Sequence, residues 1–205
     1  MKLFLASGNA HKAAELQALA DAHCAASKAA PIQVASASEV GGMPSVVEDT
    51  GTFVGNARKK AEALHALLPP GGWALADDSG LCVEALGGAP GVESAYYAGP
   101  EADPKANLRK LFLAMEGVPL ERRGAQFVCV LYLVGPDGFA ISFEGRCPGR
   151  LALSPKGAGG FGYDPLFVPE GFSQTLAEIP AEAKNRVSHR GRAFAKCVGW
   201  LAGRG

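Results

Sequence analysis

Gln126 to Val134 is a long β-rich run, and Gly135-Pro136-Asp137-Gly138 turns it straight into a second run, Phe139 to Glu144. No other feature restricts the fold as tightly, because a connection this short pairs its strands antiparallel. Upstream, short apolar runs at Leu3–Ala6, at Ile32–Ser36 and from Trp73 alternate with segments of helical period. Strands alternating with helices point to an α/β chain, and the hairpin makes its sheet mixed rather than purely parallel. Arg150–Leu153 reads as a further strand.

The helices are marked by their ends as much as by their period. Ala13, Leu16, Leu19 and Ala20 line one side of the first, and Ser7 or Asn9 suits its N-cap. Phe53, Ala57, Ala61, Leu64 and Leu68 line a second, which stops at Pro69-Pro70. Asp103-Pro104 is an N-cap followed by proline at the first helical position, and Gly117 suits the C-terminal end of that helix. Phe194, Cys197, Val198 and Leu201 give a closing helix its apolar face.

The chemistry gathers elsewhere. Trp73-Ala-Leu-Ala-Asp77-Asp78-Ser79-Gly80-Leu81 reads as a short strand running into two adjacent carboxylates. Such a pair repels itself and is costly to bury unless a metal ion or a basic partner stands by. The same four residues, Asp77 to Gly80, also suit an ordinary surface turn. A second acidic pair, Glu48-Asp49, leads into the helix that carries Lys59 and Lys60 in its first half. Positive charge there opposes the helix dipole and fits an anion held nearby, although a solvated charged face explains it too. Ser7-Gly8-Asn9-Ala10-His11-Lys12 lies between a strand and a helix, the layout of an anion site, without being a Walker A sequence.

Lys156 to Pro165 contains Gly157, Gly159 and Gly162 in GxGxxG spacing. A dinucleotide fingerprint opens a helix, whereas here Tyr163-Asp164-Pro165 and Leu166-Phe167-Val168 continue extended. The loop instead suits close approach of backbone to a flat ligand, with Phe161 stacking on it, or else a multi-glycine turn with Phe161 in the core. Lys184, His189 and Arg190 bring donors to one short segment at the entry of the last helix, where a solvated basic edge is the alternative.

Composition sets limits. With 205 residues, 48 % of them apolar, the chain suits one domain, residues 1–205, of two lobes sharing a core. Twenty acidic residues balance twenty basic ones, which disfavours nucleic acid and membrane surfaces as partners. Cys24, Cys82, Cys129, Cys147 and Cys197 are odd in number and never in CxxC spacing, the usage of a reducing, cytoplasmic compartment. The N-terminal apolar run is too short for a secretory signal, and no run reaches the roughly 18 residues of a membrane span.

With these residues in view, the chain resembles the inosine/xanthosine triphosphate pyrophosphatase family nearly end to end. SGNAHK at 7–12, EDTGTFVGNARKKA at 48–61, ADDSGL at 76–81, GGAPGVESAYYAG at 87–99, GGFGYDPLF at 159–167 and the segment 184–190 fall in the family order. Where that family usually reads Ser-Ala-Arg-Tyr-Ala-Gly, Tyr96 replaces the arginine, leaving Lys12, Lys60 or Arg109 as the cations to compensate.

The resemblance implies an elongated two-lobed α/β fold around a long mixed sheet flanked by helices, a homodimer, and an active-site cleft between the lobes. It implies hydrolysis of ITP, dITP or XTP to the monophosphate and pyrophosphate with Mg2+. On this reading Asp78, Glu48 and Asp77 hold the metal and Asp78 serves as the base. Ser7, Asn9, Lys12 and Lys60 grip the phosphates, and Gly8, Ala10, His11 and Ser79 complete the substrate-binding set on that side. Phe161, Gly162, Tyr163 and Asp164 frame base and sugar, and Lys184, His189 and Arg190 read the purine edge. The rivals are a pyrophosphatase of related fold acting on other modified nucleotides, a nucleotide sensor without turnover, and a nucleic-acid-binding protein.

Overall fold

The computed structural model describes residues 1–28 and 30–203. Its elements run β1 (Lys2–Leu5), α1 (Ala10–Ser27), β2 (Gln33–Ser36), α2 (Phe53–His65), β3 (Ala74–Val83), α3 (Pro104–Ala114), β4 (Gly124–Val134), β5 (Ala140–Leu151), β6 (Phe167–Pro169), α4 (Ala181–Val187) and α5 (His189–Ala202). The strands form one six-stranded sheet in the order β2-β1-β3-β4-β5-β6. β1 pairs parallel with both β2 and β3, and β5 pairs antiparallel with β6, so the sheet is mixed as expected. β4 and β5 are neighbours, and the Gly135 N–H closes their connection by donating to the Phe139 carbonyl at 2.8 Å.

Two compact units divide the chain. The first comprises 1–78, 129–145 and 190–205, and the second 79–128 and 146–189. In the first unit, the sheet has a distinct apolar cluster on each side. Leu3, Leu5, Leu75, Cys129, Leu131 and Leu133 pack with Leu16 and Ala20 of α1 and with Phe194, Cys197 and Val198 of α5. Ala74, Ala76, Val130 and Val134 pack instead with Ala57, Ala61 and Leu64 of α2. Residues that alternate along β3 and β4 thus go to different helices, as a strand covered on both faces requires.

The second unit has its own core of Leu81, Val83, Leu111, Met115, Phe127, Leu151 and Phe167, among others. Arg123 is buried there, and its guanidinium donates to the carbonyls of Met115 at 2.7 Å, Val118 at 2.9 Å and Ala152 at 2.9 Å. A cation on Met115, the C-cap of α3, satisfies carbonyls that the helix leaves open.

Three local readings change. β3 runs unbroken through Asp77-Asp78-Ser79-Gly80, so no surface turn forms there; Ala74 and Leu75 already ladder with β1, and Leu81 and Val83 are wholly buried beyond the polar stretch. Arg150 and Leu151 end β5 rather than starting another strand. The closing segment is two helices, parted at Ser188, whose backbone is extended.

Candidate active site

β3 carries the carboxylates, and its alternation decides what each can do. Asp77 and Asp78 are consecutive, so they leave the strand on opposite faces. Asp77, wholly buried, accepts from Arg190 Nε at 2.9 Å and from the Cys129 thiol at 3.2 Å, and its other oxygen pairs with Lys12. Arg190 pairs in turn with Glu15 of α1. Burial, the largest influence on Asp77, would raise its pKa, but Arg190 and Lys12 overcome it and hold the carboxyl well below the usual range. The Arg190 guanidinium is likewise raised, because Asp77 and Glu15 outweigh its burial.

Asp78 faces α2. One of its oxygens accepts from Lys60 Nζ at 2.8 Å, and the same ammonium donates to Glu48 at 2.6 Å. The other, Asp78 Oδ2, is buried without a hydrogen-bond partner. Burial pushes the Asp78 carboxyl up to about 6 against the pull of Lys60, and neighbouring Glu48 adds to the rise. Burial alone would lower Lys60, but Asp78 and Glu48 more than reverse that, so the amine stays charged.

The expected metal set is therefore parted. Asp77 faces α1 and α5 with both oxygens engaged, while Glu48 and Asp78 share one ammonium on the α2 side. Among the described residues, no three His, Cys, Asp or Glu side chains gather as metal ligands. A buried, unpartnered carboxylate oxygen beside the partly exposed Glu48 still fits a hard divalent cation completed by water or phosphate.

The 7–12 loop leads from β1 into α1. Ala6 N–H donates to Leu75 C=O at 2.8 Å, which fixes the loop's start beside β3. Asn9 is the N-cap, accepting from the N–H groups of His11 at 2.9 Å and Lys12 at 3.2 Å, while its own N–H donates to Ser7 Oγ at 3.1 Å. Gly8, Ala10 and His11 are exposed along this stretch, and Lys12 is the member whose side chain reaches Asp77.

In the second unit, Asp164 organises the glycine loop. Its Oδ2 accepts from Phe161 N–H and from Lys184 Nζ, both at 2.8 Å, and the Lys184 ammonium stands 4.8 Å from the centre of the Phe161 ring. Gly160 has φ +68°, and a Cβ there would come within 2.1 Å of Asp164 Oδ2, so only glycine lets the carboxylate in. Gly162 follows at φ +62°. Tyr163 donates its hydroxyl to Ser94 C=O at 2.8 Å, and burial raises its pKa. Ser94 Oγ accepts from Leu81 N–H at 2.9 Å, which ties β3 beyond Ser79 to the same group. His189 stacks on Phe127 with ring centres 4.7 Å apart.

Lys184, His189 and Arg190 therefore do not act as one patch. Lys184 joins Asp164 and Phe161, His189 joins Phe127, and Arg190 joins Asp77 and Glu15. Tyr96 is exposed, and Arg109 lies on α3 in a surface groove with Asp103, Lys105 and Lys110. Sequence reasoning passed over Glu15, Cys129 and Ser94. Glu15 follows Lys12 by three residues and so shares its helix face, which was the available signal. Cys129 lies within the apolar run of β4, and nothing local marks it as a partner of Asp77.

Comparison with known proteins covers the whole chain. The Ham1 family matches residues 3–200. A protein of Opitutus terrae named dITP/XTP pyrophosphatase is 59 % identical, covering 98 % of each chain. One of the same name from Streptomyces coelicolor is 46 % identical, covering 96 % of this chain and 95 % of its own. The structure of the Staphylococcus aureus Ham1 protein superposes with a TM-score of 0.84 at 34 % identity, covering 100 % of both chains.

Proposed function

This chain belongs to the Ham1 family, and from that premise we propose a mechanism in which Asp78 activates the attacking water. The protein is a hydrolase of deaminated purine nucleoside triphosphates, ITP, dITP and XTP, releasing the monophosphate and pyrophosphate, in keeping with the names of its relatives. The observation that carries the mechanism is the state of Asp78: buried, one oxygen on Lys60, the other without a partner, and a carboxyl pushed up to about 6. An ordinary aspartate, near pKa 3.9, is a weak base at neutral pH. The raised value brings the metal-free Asp78 closer to the operating range of a general base, and a bound cation would lower it while acidifying the water.

Asp78 Oδ2 and Glu48 would hold Mg2+, which when bound acidifies water and offsets charge on the phosphates. Lys60 stays charged beside them and neutralises one phosphate oxygen as the pyrophosphate departs. Lys12, anchored on Asp77, adds a second cation at the start of α1, where Ser7, Gly8, Asn9, Ala10 and His11 offer backbone and hydroxyl donors. Ser79 follows the base on the same strand. Asp77 holds Lys12 in place instead of sharing the cation.

In the second unit, Phe161 stacks on the base, while Gly162, Tyr163 and Asp164 frame it and the sugar. Lys184 and His189 supply donors for the purine edge. Arg190 acts at one remove, through Asp77. We propose, from the family resemblance, a homodimer acting in the cytoplasm on a small-molecule substrate; the balanced charge disfavours nucleic acid as a partner, and no helix among the described residues is long and apolar enough to cross a membrane.

The test is the identity of the first products from ITP, by ion exchange or phosphorus NMR. IMP and pyrophosphate are expected; IDP and orthophosphate would overturn attack at the α-phosphorus.

A further inference from the structure

Asn56 lies in the first turn of α2 and is only 2 % exposed. Its Oδ1 accepts from the Thr50 N–H at 3.2 Å and lies 2.8 Å from the Thr50 hydroxyl. A backbone N–H donates and never accepts, so this contact fixes which end of the amide faces Thr50. Asn56 therefore grips the segment that leads from Glu48 into the helix. One turn further along α2, on the same face, Lys60 takes the Glu48 carboxylate. The grip is tight: a Cβ on Gly55 would strike Thr50 Oγ1 at 2.3 Å and Thr52 Oγ1 at 2.8 Å.

We propose that Asn56 is a positioning residue for Glu48. It holds the 48–50 segment against the start of α2, so that the Glu48 carboxylate meets Lys60 and Asp78. Glu48 sits at the exposed end of an irregular stretch and has no ladder or helix of its own to fix it. Lys60 on Glu48 and Lys59 on Asp49 are flexible side chains that restrain carboxylates but do not fix the backbone. The two bonds from Thr50 to Asn56 supply that backbone restraint, as partners behind metal ligands commonly do.

The inference rests on the reading of Glu48 and Asp78 as a cation site, so the experiment measures that site directly. Mn2+, visible by electron paramagnetic resonance, is titrated into wild type, Asn56→Leu and Asn56→Asp without nucleotide. Thermal unfolding is recorded for each, and KM and kcat for ITP at saturating metal. Leucine removes the acceptor at similar size; aspartate keeps an acceptor for Thr50 and removes the amide donor. The expected result is Mn2+ binding weakened roughly 10- to 100-fold in Asn56→Leu and near wild type in Asn56→Asp, with kcat of the leucine variant largely recovered once metal saturates. Wild-type Mn2+ affinity in a folded Asn56→Leu overturns the positioning role. Equal weakening in Asn56→Asp overturns it as well, since that variant keeps the acceptor for Thr50. Absence of Mn2+ binding by wild type overturns the cation site, and this inference with it.

Discussion

The Lys60 ammonium lies 2.8 Å from Asp78 and 2.6 Å from Glu48. One positive charge thus bridges two carboxylates, one from the middle of a strand and one from a loop. It neutralises only one of them. The remaining negative charge, with Asp78 Oδ2 buried and unpartnered, is the electrostatic setting that draws a second cation.

Asp78→Asn is expected to fold and to lose turnover by about 100-fold or more, the usual contribution of a general base. Its stability should change in the opposite sense. The Asp78 carboxyl is raised in the folded state, so its contribution is fully present below the unfolded carboxylate pKa and fades as pH rises through about 6. Without metal, wild type should therefore lose stability relative to Asp78→Asn between about pH 4 and pH 6, with little further change above. Melting curves in EDTA across that range check the sign, and a gap that moves the other way refutes the raised pKa.

Asp77→Asn should be costly to the fold. It leaves Lys12 without its buried counter-charge and Arg190 with Glu15 in place of two carboxylates, a loss of about 3–5 kcal/mol by comparison with other broken buried pairs. The Asp77 pKa is depressed, so the wild-type advantage is present above the unfolded carboxylate pKa and disappears as pH falls through the folded value. Urea midpoints at pH 7 and pH 5 should differ between the two proteins by a similar amount, with the difference shrinking only below about pH 4. A variant as stable as wild type at pH 7 contradicts the pairing.

On the proposed reading, in which Lys184 faces the purine edge, base choice follows from its donors. Hypoxanthine and xanthine present an oxygen at position 6, which the Lys184 ammonium can satisfy, whereas adenine presents an amino group. A donor that meets another donor in place of an acceptor costs about 1–3 kcal/mol, or about 5- to 150-fold. Guanine shares the oxygen and has to be rejected at its 2-amino group. The expected order is therefore ITP and XTP above ATP and GTP in kcat/KM, measured below saturation. Lys184→Met should narrow the margin over ATP, and an unchanged ratio would remove Lys184 from that role.

Arg123→Leu is expected to destabilise the second unit by several kcal/mol, since three carbonyls lose their donor at once. Arg123 makes its hydrogen bonds to Met115, Val118 and Ala152, not to Asp78 on β3 or Lys60 on α2, the groups proposed for catalysis. Urea unfolding should show the loss, while kcat of the folded fraction stays within a few-fold. Undiminished stability would mean that water satisfies those carbonyls.

Much of this was legible because it is local. The hairpin at 135–138, the Asn9 cap and the Asp103-Pro104 helix start each depend on neighbouring residues, and each is present. The carboxylate pair was harder. Asp, Ser and Gly are turn formers, and only burial on both faces of β3 keeps them extended. Arg190 read as a ligand donor because its partners, Asp77 and Glu15, lie 113 and 175 residues away in sequence. The break between α4 and α5 at Ser188 has no proline or glycine to announce it.

The opposite facing of Asp77 and Asp78 also bears on what kinds of mutation this chain tolerates. Substitution reaches the two carboxylates one at a time, and the losses expected from them are distinct: stability for Asp77, turnover for Asp78. Insertion or deletion of a single residue in β3 ahead of Asp77 cannot separate them. A strand has a period of two, so such a change sends every following side chain to the other face. The residue meant for Arg190 would then confront Lys60, and Leu81 and Val83 would leave their core as well. By point change the two functions are independent; by change of length they are a single trait.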